Sequence, residues 1–319
     1  MSVIRLIPSY SAYKQLDISF PTIMSPQLNF TVLNVFTPLT STPESPGGNP
    51  LAIVHLQADT SLTIPQKSSI ARNFGYPGTV FLHPPQDGDE AVRVIEIFTE
   101  VGTAMPFGGH PTIGTANYLF QLHPDSTELT LLTPAGQVVS SRVANGVKVE
   151  VPGQIPPQLK LHPCSPDITA RLKALQPGID FVGDARTEVM TGITFILMRV
   201  ATEHGLSQLR PYPTLSELPG TDNPRFVGTY FYVLHPSENG ARRKVRARMF
   251  FGEELEDPAS GAAACALTAY LKIHEGVTEI DVSQGVEMGC ESVFAVSLKA
   301  KVSLEGRSVI TKEGVMDTV

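Results

Sequence analysis

Two glycines and a histidine stand directly before a helix-like run in MPFGGHPTIGTANYLF, Met105 to Phe120. A helix start carries backbone N–H groups without intrahelical partners and about half a unit of positive charge. Such an end can hold an anion, most simply a carboxylate, when nothing keeps the ligand from the backbone. Gly108 and Gly109 meet that condition; they equally allow a sharp entry into the helix and close packing against a strand. His110 has two readings as well. It either caps and packs, or it faces a ligand as a ring whose charge changes near neutral pH.

The same arrangement recurs. IFTEVGTAMPFGGHPTIGTANYL, Ile97 to Leu119, aligns without a gap to MFFGEELEDPASGAAACALTAYL, Met249 to Leu271. Phe98, Pro106, Gly109, Tyr118 and Leu119 find Phe250, Pro258, Gly261, Tyr270 and Leu271 at one constant spacing. Both stretches read as strand, loop, proline, glycine, helix, which points to a duplicated unit. Two similar halves, each a curved sheet around one central helix, would bring the two glycine-led helix starts to a shared cleft.

The rest of the chain supplies the sheets. Short β-branched and aromatic runs such as FTVLNVFT, LAIVHL, GTVFLH, VRVIEIFT, TFILMRVA, TYFYVLHP, VRARMFF and SVFAVSLKA are bounded by Gly, Pro, Asn and Asp and read as strands. Helical spacing is confined to four segments, Ile64 to Gly75, the run from Pro111, Ile168 to Gly178, and the run from Gly261. This is an α+β pattern and not the strict alternation of a doubly wound sheet.

Composition narrows the function classes. The chain has 319 residues, 42% hydrophobic and 17% charged, enough for a substantial core and for two domains. A net charge of −7 and a pI near 5.6 argue against nucleic-acid or anionic-membrane partners. The one dense basic run, RRKVRAR from Arg242 to Arg248, alternates with apolar residues and reads as a strand with a charged face. Cys164, Cys265 and Cys290 are widely spaced, which fits reduced thiols and a cytoplasmic protein. No apolar stretch approaches the roughly 20 residues that span a bilayer, and residues 1–28 lack the pattern of a secretory signal. Nucleotide loops, paired CxxC zinc motifs, HExxH and GxSxG are absent, and the eight histidines show no metal spacing.

Taken together, NVFT with GGNPLAIV, SIARNFG followed by TVFL, MPFGGHPTIGTA, RMFFGEELEDPASGAAACAL and QGVEMG, in that order, resemble the PhzF-type family of phenazine-biosynthesis-like isomerases, which share the diaminopimelate epimerase fold. The resemblance covers most of the chain from about Asn29. It implies two pseudo-symmetric barrel-like halves, each a mostly antiparallel sheet around a central helix, and usually a homodimer. The divisions expected are an N-terminal extension at 1–28, a first half at 29–130 completed by a strand from 305–319, and a second half at 131–304. It further implies a small-molecule substrate in the cleft, no metal or organic cofactor, and a proton shift in an unsaturated carboxylic acid.

In the family a glutamate, the histidine of the GHP motif and the aspartate of EDP line the cleft; the latter two match His110 and Asp257. The glutamate position reads Gly78, the serine after EDPxTG is Ala262, and the arginine often following QGxxMG is Cys290. Asp257 just ahead of a helix start either stabilises the helix dipole or serves as a base. His110 either packs or donates to a carbonyl or enolate oxygen. Asn49 of GGNP either forms the turn or binds ligand, and Glu100 is either a solvated loop residue or a replacement carboxylate. A two-thiol racemase is excluded, since the positions of its thiols read His110 and Ala262.

The expected activity is therefore a cofactor-independent isomerase or cyclase of a small carboxylate or carbonyl metabolite, in specialised metabolism. His110 and Asp257 are its candidate catalytic residues, and Asn49, Gly78, Gly108, Gly109, Gly261 and Ala262 its binding residues. The rival is a catalytically silent small-molecule-binding or interaction protein on the same scaffold.

Overall fold

The first helix shows how locally the chain is written. Thr63 precedes it and exchanges hydrogen bonds with Gln66, a capping box, while Gly75 stops it in the left-handed region at φ 64°. This is α1, Ile64–Phe74. In the computed structural model the described residues are 27–86, 88–152, 161–162, 166–189, 193–212, 226–236, 242–252, 255–299 and 301–317. Cys164 and most of the expected extension at 1–28 lie outside them.

In chain order the first half contains β1 (Gln27–Val35), β2 (Asn49–His55), α1, β3 (Gly78–Leu82), β4 (Val92–Phe98), β5 (Ala104–Met105), α2 (Gly109–Leu122), β6 (Glu128–Thr133), β7 (Gly136–Val143) and β8 (Gly146–Glu150). The second contains β9 (Leu161–His162), α3 (Pro166–Leu175), β10 (Phe181–Val189), β11 (Ile193–Val200), α4 (Glu203–Gln208), β12 (Phe226–Leu234), β13 (Arg243–Gly252), β14 (Leu255–Asp257), α5 (Gly261–Glu275), β15 (Glu279–Gln284), β16 (Ser292–Leu298) and β17 (Val302–Gly306). The last strand, β18 (Ser308–Asp317), returns to pair with β1.

Strand pairing repeats between the halves. β1 to β4 pair in sequence and continue through β6, β7 and β8, with β2/β3 and β4/β6 parallel. β10 to β13 pair in sequence and continue through β15, β16 and β17, with β11/β12 and β13/β15 parallel. The short β5 and β14 hang on β4 and β13 and lead into α2 and α5. Antiparallel β8 and β17 join the two sheets. The mixture of sheet and few helices is α+β.

The sheet of the first half runs on past residue 130, which falls inside β6, to Glu150 at the end of β8. That boundary is not visible in composition, because the hairpins from β6 to β8 have the same alternating character as the strands that follow.

Each central helix is buried on nearly all sides, which explains its apolar character all round. Within α2, a Cβ built on Gly114 would come 2.5 Å from Leu51, 2.7 Å from Val35 and 2.9 Å from Leu33. These are core side chains of β1 and β2 with nowhere to go. Gly114→Ala is therefore expected to lower stability by about 1–3 kcal/mol despite alanine's better helix propensity, measured by chemical unfolding.

The halves are also pinned at Phe36, a non-glycine residue with φ 64°. Its N–H donates to the Arg307 carbonyl at 2.7 Å, its carbonyl accepts from the Val293 N–H at 2.6 Å, and its ring lies 4.6 Å from that of Phe294.

Candidate active site

The site is assembled from the loop before β2 and the chain that leaves β14 for α5. Gly47 and Gly48 adopt φ of 56° and 74°. The Gly48 N–H donates to the Glu291 carbonyl at 2.8 Å, and a Cβ on Gly47 would stand 2.7 Å from that same oxygen. Only glycine combines this backbone with this approach. The turn delivers the fully buried Asn49 across the boundary between the halves, where its Nδ2 donates to Asp257 Oδ1 at 3.2 Å and to the Ala259 carbonyl at 3.4 Å. Asn49 thus follows the turn and holds the candidate base, its amide nitrogen directed at Asp257 and Ala259.

Asp257 closes β14 and is partly exposed at the level of the whole residue. Its Oδ1 also accepts from the Ala259 N–H at 3.2 Å, and the Ser260 hydroxyl donates to Oδ2. Burial of the carboxyl pushes its pKa up to about 6, against the hydrogen bonds from Ser260, Ala259 and Asn49. The Glu100 carboxylate pushes it the same way, so Glu100, itself exposed in the turn after β4, acts on the site through its charge.

The two helix starts converge. A Cβ on Gly109 would lie 4.0 Å from the Gly261 Cα and 2.8 Å from Leu304 Cδ1, and one on Gly261 would lie 3.1 Å from the same methyl. Leu304 of β17 thus covers both glycines, and close packing is one reason they are glycine. Their N–H ends are a separate matter. Neither Gly108 nor Ser260 makes a side-chain cap, and neither first turn carries an acidic residue. The first intrahelical bonds run from Thr112 to Gly108 and from Ala264 to Ser260, so the amides of Gly109, His110, Gly261 and Ala262 precede both ladders. Ala262 is exposed at this edge, whereas Gly78 is buried. Gly108 is packed against Pro111, 3.1 Å from where its Cβ would be.

His110 takes an unexpected position. A Cβ on Gly78 would stand 2.8 Å from His110 Nε2 and 3.1 Å from Cε1, so the imidazole edge occupies the space a side chain at 78 would need. The ring hydrogen-bonds the Pro50 carbonyl, and burial pulls its pKa down to about 3. Nε2 is buried without a hydrogen-bond partner. Gly78, having no side chain, leaves room for the ring against β3.

Three contributors were not among the candidate residues: Ser260, Gln284 and Tyr230. Gln284 Nε2 donates to the Asp257 carbonyl at 2.7 Å and to Ser260 Oγ at 3.2 Å. Its Oε1 accepts from the Tyr230 hydroxyl at 3.2 Å and from the Ser260 N–H at 3.3 Å. Ser260 has the residue type and place of a helix cap yet caps nothing, because its hydroxyl is spent on Asp257. That type and place are the sequence signal for Ser260, and Gln284 opens the QGVEMG motif, whereas Tyr230 has no signal beyond its strand-like run.

The basic run enters and follows β13, and its four arginines are matched by carboxylates. Arg242 meets Glu305, Arg243 meets Glu275, Arg246 meets Glu287, and Arg248 grips Glu256 by two bonds of 2.8 Å. Cys265 is buried and free, its thiol pushed up to about 12 by burial; Cys290 is also free and half-buried. Among the described residues no three His, Cys, Asp or Glu side chains are grouped to hold a metal ion, and no helix is long and apolar enough to cross a membrane.

Comparison with known proteins adds kinship to this geometry. The family described as phenazine biosynthesis-like protein, PhzC-PhzF, matches residues 36–314. An uncharacterized isomerase of Mesorhizobium japonicum is 30% identical over 282 residues, 85% of this chain and 90% of that protein. The trans-2,3-dihydro-3-hydroxyanthranilate isomerase of Pseudomonas chlororaphis is 28% identical over 84% of this chain and 91% of its own. Among solved structures, the PhzF-family phenazine biosynthesis protein of Bacillus anthracis superposes with a TM-score of 0.69 at 21% identity, covering 91% of this chain and 99% of that one. A predicted epimerase of Pseudomonas aeruginosa gives 0.65 at 22% identity, with coverage of 91% and 99%.

Proposed function

The chain belongs to the phenazine biosynthesis-like family, and from that premise we propose that it is an isomerase that moves a proton within a small unsaturated carboxylic acid. The observation that carries this reading is Asp257, a carboxyl held near pKa 6 by burial, beside two uncapped helix starts that meet end to end. The helix amides take the substrate's anionic group. The ionised Asp257 removes a proton from an sp³ carbon, the electron pair enters the conjugated system and shifts the double bond, and the carboxylic acid so formed returns the proton at the far end. A base with a pKa just below the working pH suits both halves of that exchange.

Kinship with Pseudomonas isomerases of trans-2,3-dihydro-3-hydroxyanthranilate supports a ring-bearing carboxylate as the substrate class and specialised metabolism as the setting. The same reading takes the protein as a cytoplasmic homodimer, with free Cys265 and Cys290 in keeping with a reducing compartment.

The seating of His110 against Gly78 favours a second reading, in which the scaffold binds or positions a reactive anion without a proton shuttle. One experiment separates them. With cyclic unsaturated carboxylic acids, including trans-2,3-dihydro-3-hydroxyanthranilate, NMR should record a moved double bond in the acid and shifted amides at Gly109, His110, Gly261 and Ala262. Amide shifts with the acid unchanged would replace the isomerase by a binding protein; neither change would end both readings.

A further inference from the structure

Asp257 is held by bonds whose direction can be worked out atom by atom. Gln284 Nε2 faces two acceptors, the Asp257 carbonyl at 2.7 Å and Ser260 Oγ at 3.2 Å. Gln284 Oε1 faces two donors, the Ser260 N–H at 3.3 Å and the Tyr230 hydroxyl at 3.2 Å. A backbone carbonyl can only accept and a backbone N–H can only donate, so the orientation of the Gln284 amide is set twice over. The consequence passes down the chain. Because Gln284 donates to Ser260 Oγ, the hydroxyl hydrogen of Ser260 is directed away from it, onto Asp257 Oδ2. Meanwhile Asp257 Oδ1 receives two donors, Asn49 Nδ2 and the Ala259 N–H, both at 3.2 Å. Oδ1 is filled; Oδ2 has one donor and one lone pair to spare.

We propose that Gln284 and Tyr230 are positioning residues for Asp257: acting through Ser260, they keep a hydroxyl hydrogen on Oδ2 and leave the second Oδ2 lone pair as the one that takes the substrate's proton. The proposal rests on reading Asp257 as the proton carrier, and it reaches further, because Gln284 and Tyr230 make no contact with the carboxylate oxygens. Tyr230 and Gln284 are fully buried, and all three residues are uncharged, which lets the network act by orientation alone. The ionisable groups that act on Asp257 or feel its charge are Glu100, Tyr230 and Cys290. None of the substitutions below adds or removes a charge at neutral pH.

The test is a carboxyl-detected NMR titration of Asp257 in the isotopically labelled full chain, which needs no substrate and so stands or falls apart from the isomerase reading. Ser260→Ala should raise the midpoint by about one pH unit, the size expected when a hydrogen bond to a charged group is lost, and Ser260→Thr should restore it. Gln284→Met should raise it in the same direction, and Tyr230→Phe by less. The double variant Ser260→Ala/Gln284→Met should titrate with Ser260→Ala, because both changes remove one interaction. A midpoint unmoved in both Gln284→Met and Tyr230→Phe, or full additivity in the double variant, would overturn the proposal. Should Gln284→Met fail to fold, Tyr230→Phe, which removes a single oxygen from the core, decides it alone.

Discussion

Asp257→Asn is expected to lose two to four orders of magnitude in kcat on any acid the protein isomerises, the usual cost of removing a positioned proton-transfer group. The amide is nearly isosteric, and its single oxygen can still accept from Asn49 and the Ala259 N–H while its NH2 takes the place of Oδ2 opposite Ser260, so binding should change far less than turnover. In the parent, the rate should fall tenfold per pH unit below about 6, where Asp257 takes up its proton, and level off above. Stability should move the other way. The Asp257 carboxyl binds its proton more tightly folded than unfolded, so its contribution to stability is greatest at acid pH and declines as pH rises from the ordinary aspartate range through about 6. Asp257→Asn removes that decline and is expected to raise the thermal midpoint at pH 8. A group that lowers stability while serving turnover is the signature of a functional residue. A variant with parental turnover, or one destabilised with turnover and binding lost together, would instead mark Asp257 as a structural anchor.

The largest loss of stability is expected at Arg248→Met, about 3–5 kcal/mol in urea unfolding. Arg248 is 6% exposed and Glu256 10% at their side chains, so the pair is little screened by water. The guanidinium also donates to the carbonyls of Leu206 and Leu209 at the end of α4 and lies over the Phe250 ring at 4.9 Å. Methionine fills the space but leaves Glu256 buried with an uncompensated charge. Arg248→Met/Glu256→Gln should therefore recover most of the loss, the non-additivity expected of partners in contact. Because Glu256 adjoins Asp257, the single variant should also lower turnover. A cost under 1 kcal/mol would show that the strand before α5 is held by other contacts.

How much of this could be read from the chain depends on how local the cause is. α1 follows from Thr63, Gln66 and Gly75 within a dozen residues, and the pairing of Phe98 with Phe250 and of Gly109 with Gly261 announces the duplication. The meeting of the two helix starts follows from that duplication, since two like halves must face each other somewhere. Other features were hidden for stated reasons. α4 has six residues, too few to display a helical period. β10 and β15 carry polar residues at alternate positions and lack the apolar density of their neighbours. Leu304 comes to rest on Gly109 and Gly261 from a strand far along the chain, and nothing near either glycine foretells it. The same distance conceals the link of Tyr230 and of Gln284, the first residue of QGVEMG, to Ser260, which they reach only once β12 and β15 flank β13. His110 illustrates the limit most clearly. Its type and place at a helix start are legible in the chain, but its neighbours Pro50 and Gly78 belong to β2 and β3, and the space that Gly78 leaves for the ring is set by their packing.

The central claim is that Asp257 carries a proton between carbon atoms of a bound acid. The most direct measurement is deuterium entry into carbon-bound positions of a small unsaturated carboxylic acid incubated with the protein in heavy water, comparing the parent with Asp257→Asn at pD 8. The account predicts label in the acid with the parent and at least a hundredfold slower labelling with the variant. Equal labelling by both would contradict it.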